Sequence, residues 1–83
     1  KLIKQYINIA FSAFEWDEVI RGIKKADEAG LKDDGKFALM KGIAYFEKKS
    51  ITNAKNSFIE ASNSKEYKDQ GIAWLEYLEA LNG

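Results

Sequence analysis

The chain has no cysteine, no histidine and no proline, and its charges cancel: thirteen Lys and Arg against thirteen Asp and Glu over 83 residues. Each absence excludes something. Without cysteine there is no disulfide framework and no thiolate nucleophile. Without histidine the commonest general base and the usual transition-metal ligand are missing. A neutral balance leaves no basic face of the kind that holds nucleic-acid phosphates. With 31% charged residues and no long apolar run, no membrane span is expected. The chain begins at Lys1 with neither a methionine nor a signal-like segment, so it reads as a piece of a longer protein. Its length suits one small domain.

The sequence repeats itself. A shift of 35 residues pairs Phe11 with Phe46, Val19 with Ala54, Ile23 with Phe58 and Ala26 with Ala61, large on large and small on small. The same shift carries Leu39 onto Trp74 and Ile43 onto Leu78. No segment alternates with period two, and the apolar spacing predicts five helices. The first, Leu2 to Phe14, is apolar nearly all round, which calls for partners on more than one side. The second, Trp16 to Ala29, has its stripe at Trp16, Val19, Ile20, Ile23 and Ala26, with Gly30 placed to close it in a left-handed conformation. The third, Gly35 to Lys48, is capped by Asp33 or Asp34, and the fourth, Ile51 to Ser62, by Ser50. The fourth carries Ile51, Ala54, Phe58 and Ala61. Asn63 and Glu66 form a capping box for the fifth, whose stripe is Tyr67, Gly71, Trp74, Leu78 and Leu81. Gly42 is expected at a close helix–helix contact.

These residues resemble the tetratricopeptide repeat (TPR), a helix–turn–helix unit of about 34 residues. Gly42 and Tyr45 stand at the small and aromatic positions of the first helix, and Ala54, Phe58 and Ala61 at the small, large and small positions of the second. Val19, Ile23 and Ala26 fit the earlier unit, although Ile7 replaces its glycine and both units lack the usual closing proline. The resemblance implies an all-α, right-handed α-solenoid of two TPR-like helical hairpins plus a C-terminal helix. It forms one domain, 1–83, divided as 1–34, 35–66 and 67–83. The ending KEYKDQGIAWLEYLEALNG, with Trp74 and Tyr77, is also similar to the C-terminal end of bacterial repeat proteins associated with TonB–ExbB–ExbD systems. That likeness implies a bacterial, periplasmic parent acting in an envelope transport complex.

Enzymatic readings find little to work with. Asp17–Glu18 and Asp33–Asp34 are adjacent pairs, about 100° apart on a helix, and serve more simply as helix-start charges and caps. Ser12, Ser50, Ser57, Ser62 and Ser64 have no activating histidine. No glycine-rich phosphate loop occurs, and LKDDGK lacks the alternating oxygens of a calcium loop. Neither a catalytic residue nor a cofactor or metal is therefore expected. The aromatics fall mostly on apolar stripes, where core packing accounts for them.

What the resemblance does imply is a concave groove lined by the first helix of each hairpin. Lys4, Asn8, Phe11 and Ser12 line it from the first helix, and Lys36, Leu39, Ile43, Phe46 and Glu47 from the third. Trp74 and Leu78 continue it unless the last helix only caps the stack. Lys4 and Asn8 also match the opening of the carboxylate clamp of one TPR subclass, but Met40 stands where a further asparagine belongs. The expected function is a non-catalytic interaction module binding a peptide or helix of a protein partner. The alternative is a structural or self-association unit at the end of a longer solenoid. In that case the first helix contacts a second copy or an upstream repeat.

Overall fold

In the computed structural model, residues 2–82 are described, and they form five α-helices with no strand among them. The helices are α1 (Leu2–Ser12), α2 (Trp16–Glu28), α3 (Lys36–Glu47), α4 (Ile51–Ser62) and α5 (Lys68–Asn82). Extensive packing joins only helices adjacent in sequence: α1 to α2, α2 to α3, α3 to α4 and α4 to α5. The molecule is elongated, 40 × 26 × 19 Å. Its apolar residues form two clusters, as successive stacking requires. The first joins Ile7 and Ala10 of α1, Val19, Ile23 and Ala26 of α2, and Phe37, Met40 and Ala44 of α3. The second joins Ala54 and Phe58 of α4 with Leu78 of α5, flanked by Leu39, Ile43, Phe46 and Trp74.

Each hairpin closes through one glycine facing one large side chain, and the two hairpins place them oppositely. A Cβ on Gly42 of α3 would lie 2.4 Å from Phe58 Cε1 of α4. In the first hairpin the large residue is on the first helix, and a Cβ on Gly22 of α2 would lie 2.9 Å from Ile7 Cγ1. The departure at Ile7 is thus compensated by Gly22, and Ile7 is fully buried. Volume is conserved across the contact, as close packing demands.

The backbone repeats with the sequence. After α1, Phe14 N–H donates to the Phe11 carbonyl (3.1 Å) and Glu15 N–H to that of Ala10 (2.9 Å), with Phe14 at φ 61°. Thirty-five residues on, Lys49 donates to Phe46 (2.9 Å) and Ser50 to Tyr45 (2.8 Å), with Lys49 at φ 66°. Both are Schellman closures with a residue other than glycine in the left-handed position. α2 closes in the same way at Gly30, φ 74°, as its sequence predicts.

Other helix ends differ from expectation. α1 stops at Ser12 rather than Phe14, because Phe14 has left the helical region. Asp33 does cap α3: its Oδ2 accepts from Phe37 N–H (2.7 Å) and Gly35 N–H (3.2 Å), while Gly35 occupies the N-cap position at φ 104°. Ser50 sits at the start of α4, but its Oγ accepts from Asn53 Nδ2 (2.9 Å) instead of capping the backbone. Asn63 ends α4 and does not open α5. The turn between them is held by Ser64, whose Oγ donates to the Ala61 carbonyl (2.7 Å) and accepts from Tyr67 N–H (3.0 Å). Ile51 and Leu81, expected on buried stripes, are exposed at 39% and 56%.

Candidate functional site

Two recesses contain expected groove residues, one between α1 and α3 and the other between α3 and α5. One, of about 370 Å³, brings Lys4 and Asn8 of α1 together with Lys36 and Phe37 of α3 and with Asp33 and Asp34 of the preceding loop. Lys4 is half-buried, whereas Asn8 and Lys36 are exposed. Three of the expected groove residues therefore converge. Two carboxylates share the recess with the two lysines, and Met40 is turned into the first core, 5% exposed. That charge balance does not fit a clamp for a single carboxylate. The other recess, of about 300 Å³, is lined by Phe46 of α3 and by Ala73, Trp74 and Tyr77 of α5. Its wall is aromatic: Phe46 meets Trp74 edge-on at 5.3 Å and Tyr77 at 5.8 Å, and Trp74 is stacked on Phe58 at 4.9 Å with a 7° interplanar angle.

The remaining expected residues fall elsewhere. Phe11 is half-buried and packs edge-on against Trp16, 5.5 Å away. Leu39 and Ile43 are half-buried and pack on the second core. Ser12 and Glu47 are exposed at the ends of their helices and line neither recess. Leu78 is buried at 5% and belongs to the core, so it does not continue the groove.

The reason is a change of register. Phe37, Met40 and Ala44 join the first core where α3 docks on α2; the residues of α5 that face α4 are Gly71, Trp74 and Leu78, each 34 positions on. The 35-residue shift holds between the two hairpins and fails at α5. The connection to α5, residues 63–67, is shorter than the one to α3, residues 29–35. Tyr77 and Ala73, which the 35-residue shift passes over, take the open positions instead. A shift of 34 applied to Leu39 and Ile43 would have found them.

Shifted protonation lies outside both recesses, at the junction of α1, α2 and α3. The Tyr6 hydroxyl donates to Glu18, and Arg21 Nη1 lies 2.5 Å from the same carboxylate. These two bonds, the Tyr6 one first, hold the Glu18 carboxyl below its usual range, and the bond to Glu18 pushes the Tyr6 hydroxyl up. Asp17 is likewise held low by Lys48 Nζ at 2.6 Å. Tyr6 with Glu18, and Asp17 with Lys48, tie α2 to its neighbours at the surface, while Arg21 and Glu18 pair within α2. Among the described residues, no three Asp or Glu side chains converge as a metal site would need, and no helix is long and apolar enough to cross a membrane. No protein-family model matches this sequence, and neither a curated protein nor a solved structure is detectably similar to it.

Proposed function

We propose that this chain is a non-catalytic protein-interaction module: a TPR-like right-handed solenoid that binds a peptide or helix of a partner along the face of α1, α3 and α5. The observation that carries the reading is the recess of Phe46, Ala73, Trp74 and Tyr77, an aromatic pocket left open beside a second core that is already complete. Open aromatic surface of this kind supplies the anchor of a typical peptide site. Successive packing of neighbours, the glycine contacts at Gly42 and Gly22, and the 35-residue recurrence of the backbone support the solenoid reading. The partner segment places an apolar side chain in the aromatic recess. Its polar residues reach toward Lys4, Asn8 and Lys36, where both signs of charge can be matched. On the resemblance read from the sequence of its ending, with Trp74 and Tyr77, we place that partner in a bacterial envelope transport complex.

Peptide display against the chain, followed by chemical-shift mapping of the selected peptides, tests the proposal. Perturbations should centre on Phe46, Ala73 and Tyr77, and Tyr77→Ala should weaken binding at least about tenfold while the chain stays folded, its melting temperature lowered only by the loss of its contacts with Phe46 and Trp74. Selection of no peptide, or of peptides that map to α2 and α4, would overturn it.

A further inference from the structure

The first helix has two apolar faces, and the chain covers only one. Ile7 and Ala10 face the first core. Leu2, Tyr6, Ile9 and Ala13, at steps of four, three and four, fall within about 60° of one another at 100° per residue. All four are exposed, Leu2 at 82% and Ile9 at 69%. Ala13 continues the stripe, because its N–H still donates to the Ile9 carbonyl at 3.0 Å. Such a four–three–four row is the seam along which two helices pack. The internal repeat shows the same row in use. Thirty-five residues on, it reads Phe37, Lys41, Ala44 and Lys48, where Phe37 and Ala44 are buried in the first core and Lys48 is bound to Asp17 of α2. On α3 this row docks a helix; on α1 Tyr6 leans on α2 through Glu18 and Gly22, and Leu2, Ile9 and Ala13 are bare.

We infer that the bare row of α1 pairs with the same row of a second copy of this chain, antiparallel about a two-fold axis between Tyr6 and Ile9. The charges beside the row select this occupant. At the start of α1 the row is flanked by Arg21 and Lys25, which with Leu2, Ile3, Tyr6 and Gly22 line a recess of about 430 Å³; Arg21 is paired with Glu18 of its own helix, so Lys25 carries the net positive charge there. At its other end stand exposed Phe14 and Glu15. An antiparallel two-fold brings the acidic, aromatic end of one copy to the basic, recessed end of the other. Phe14 of the second copy then enters the recess and its Glu15 faces Lys25. A parallel pair would set like charges together. The pattern is self-complementary, as an isologous contact must be. This face is distinct from the groove, since Lys4, Asn8 and Phe11 lie on another side of α1.

Sedimentation equilibrium of the 83-residue chain between about 1 µM and about 500 µM should show a monomer–dimer equilibrium with a dissociation constant in the micromolar range. Ile9→Lys should weaken it at least about tenfold, with the helical circular-dichroism signal and the melt of the dilute chain unchanged. Lys25→Glu should weaken it severalfold, and adding Glu15→Lys should restore it, because the swapped pair meets again across the two-fold. A chain monomeric throughout the range overturns the inference. So does a dimer indifferent to Ile9→Lys, and a charge swap that fails to rescue overturns the antiparallel arrangement.

Discussion

The ring of Phe58 lies over the bare Cα of Gly42, so close that a Cβ there would sit 2.4 Å from Cε1 and 2.6 Å from Cδ1. Phe58 is fully buried and stacked on Trp74, leaving its ring no direction in which to retreat. Gly42→Leu should therefore destabilise the chain. Replacing glycine by a good helix former gains up to about 1 kcal/mol, whereas overpacking costs about 1–3 kcal/mol. A urea melt reads the balance, and a more stable variant would place Gly42 away from α4.

Phe58→Ala tests the other side of the same contact. Emptying that site should cost about 3–5 kcal/mol. Small domains have only about 5–15 kcal/mol in hand, so a large share of the stability would go. In a double-mutant cycle, Gly42→Ala combined with Phe58→Leu should cost less than the sum of the two single changes, since the smaller side chain makes room for the added methyl. Strict additivity would mean that the two residues do not touch.

A gain is expected where the backbone turns left-handed without glycine. Lys49 is exposed and its side chain enters no core, yet it holds φ 66°. Lys49→Gly should relieve the Cβ clash, a net gain of about 0.5–1 kcal/mol after glycine's extra unfolded-state freedom is subtracted. Phe14→Gly should gain less, because it also removes the contact of Phe14 with Trp16 at 5.7 Å. Thermal melts of the two variants should rank in that order, and a destabilised Lys49→Gly would count against the left-handed closure of α3.

How far the sequence reveals this fold depends on what each feature asks of a side chain. The pairing of Gly42 with Phe58, and the small residues Ala54 and Ala61, are legible because close approach demands small volumes at fixed steps. Gly30 is legible for another reason: a left-handed helix closure favours glycine, and its φ is 74°. Phe14 and Lys49 are not, since nothing in a phenylalanine or a lysine announces a left-handed backbone; only the carbonyls they satisfy require it. The recess on α5 is half-legible. Phe46 and Trp74 stand out as aromatics, but a shift of 35 residues sends Leu78 to the groove and overlooks Tyr77. The length of the connection sets the register, and residues 63–67 carry no helical periodicity to reveal it.

Stability should be level across neutral pH and fall at both ends. Asp17 and Glu18 are held below their ordinary range, so their contribution is complete above that range and is lost as pH falls through the folded values. The Tyr6 hydroxyl is raised, so its contribution is complete below its ordinary value and is lost as pH rises through the folded one. The chain has no histidine or cysteine, the side chains whose ordinary ranges lie nearest neutrality. Urea midpoints should be flat from about pH 6 to about pH 9. Glu18→Gln should lower the plateau and make both limbs shallower, since the bond to Glu18 is the chief cause that raises the Tyr6 hydroxyl. A step near neutrality, in a chain with these groups, would contradict the assignment.

Gly71 offers a way to remove α5 alone. A Cβ there would lie 2.6 Å from the Ser62 backbone nitrogen and 2.9 Å from the Phe58 carbonyl oxygen. Backbone cannot rotate aside as a ring or a methyl can, so Gly71→Ala forces the two helices apart rather than rearranging one side chain. The expected cost is at the upper end of overpacking, about 3 kcal/mol. It should fall on α5 first, because that helix packs extensively only on α4. Trp74 would leave Phe58, and its emission should shift to the red well before the far-ultraviolet signal of the other four helices is lost. The aromatic recess needs Phe46 of α3 and Tyr77 of α5 together, so peptide binding should disappear with it. Pairing through α1 depends on Leu2, Ile9 and Phe14, none of which touches α5, and should survive. If Gly71→Ala leaves Trp74 emission unchanged, α5 does not pack on α4 through this glycine; if the emission shifts and peptide binding persists, the recess is not the binding site.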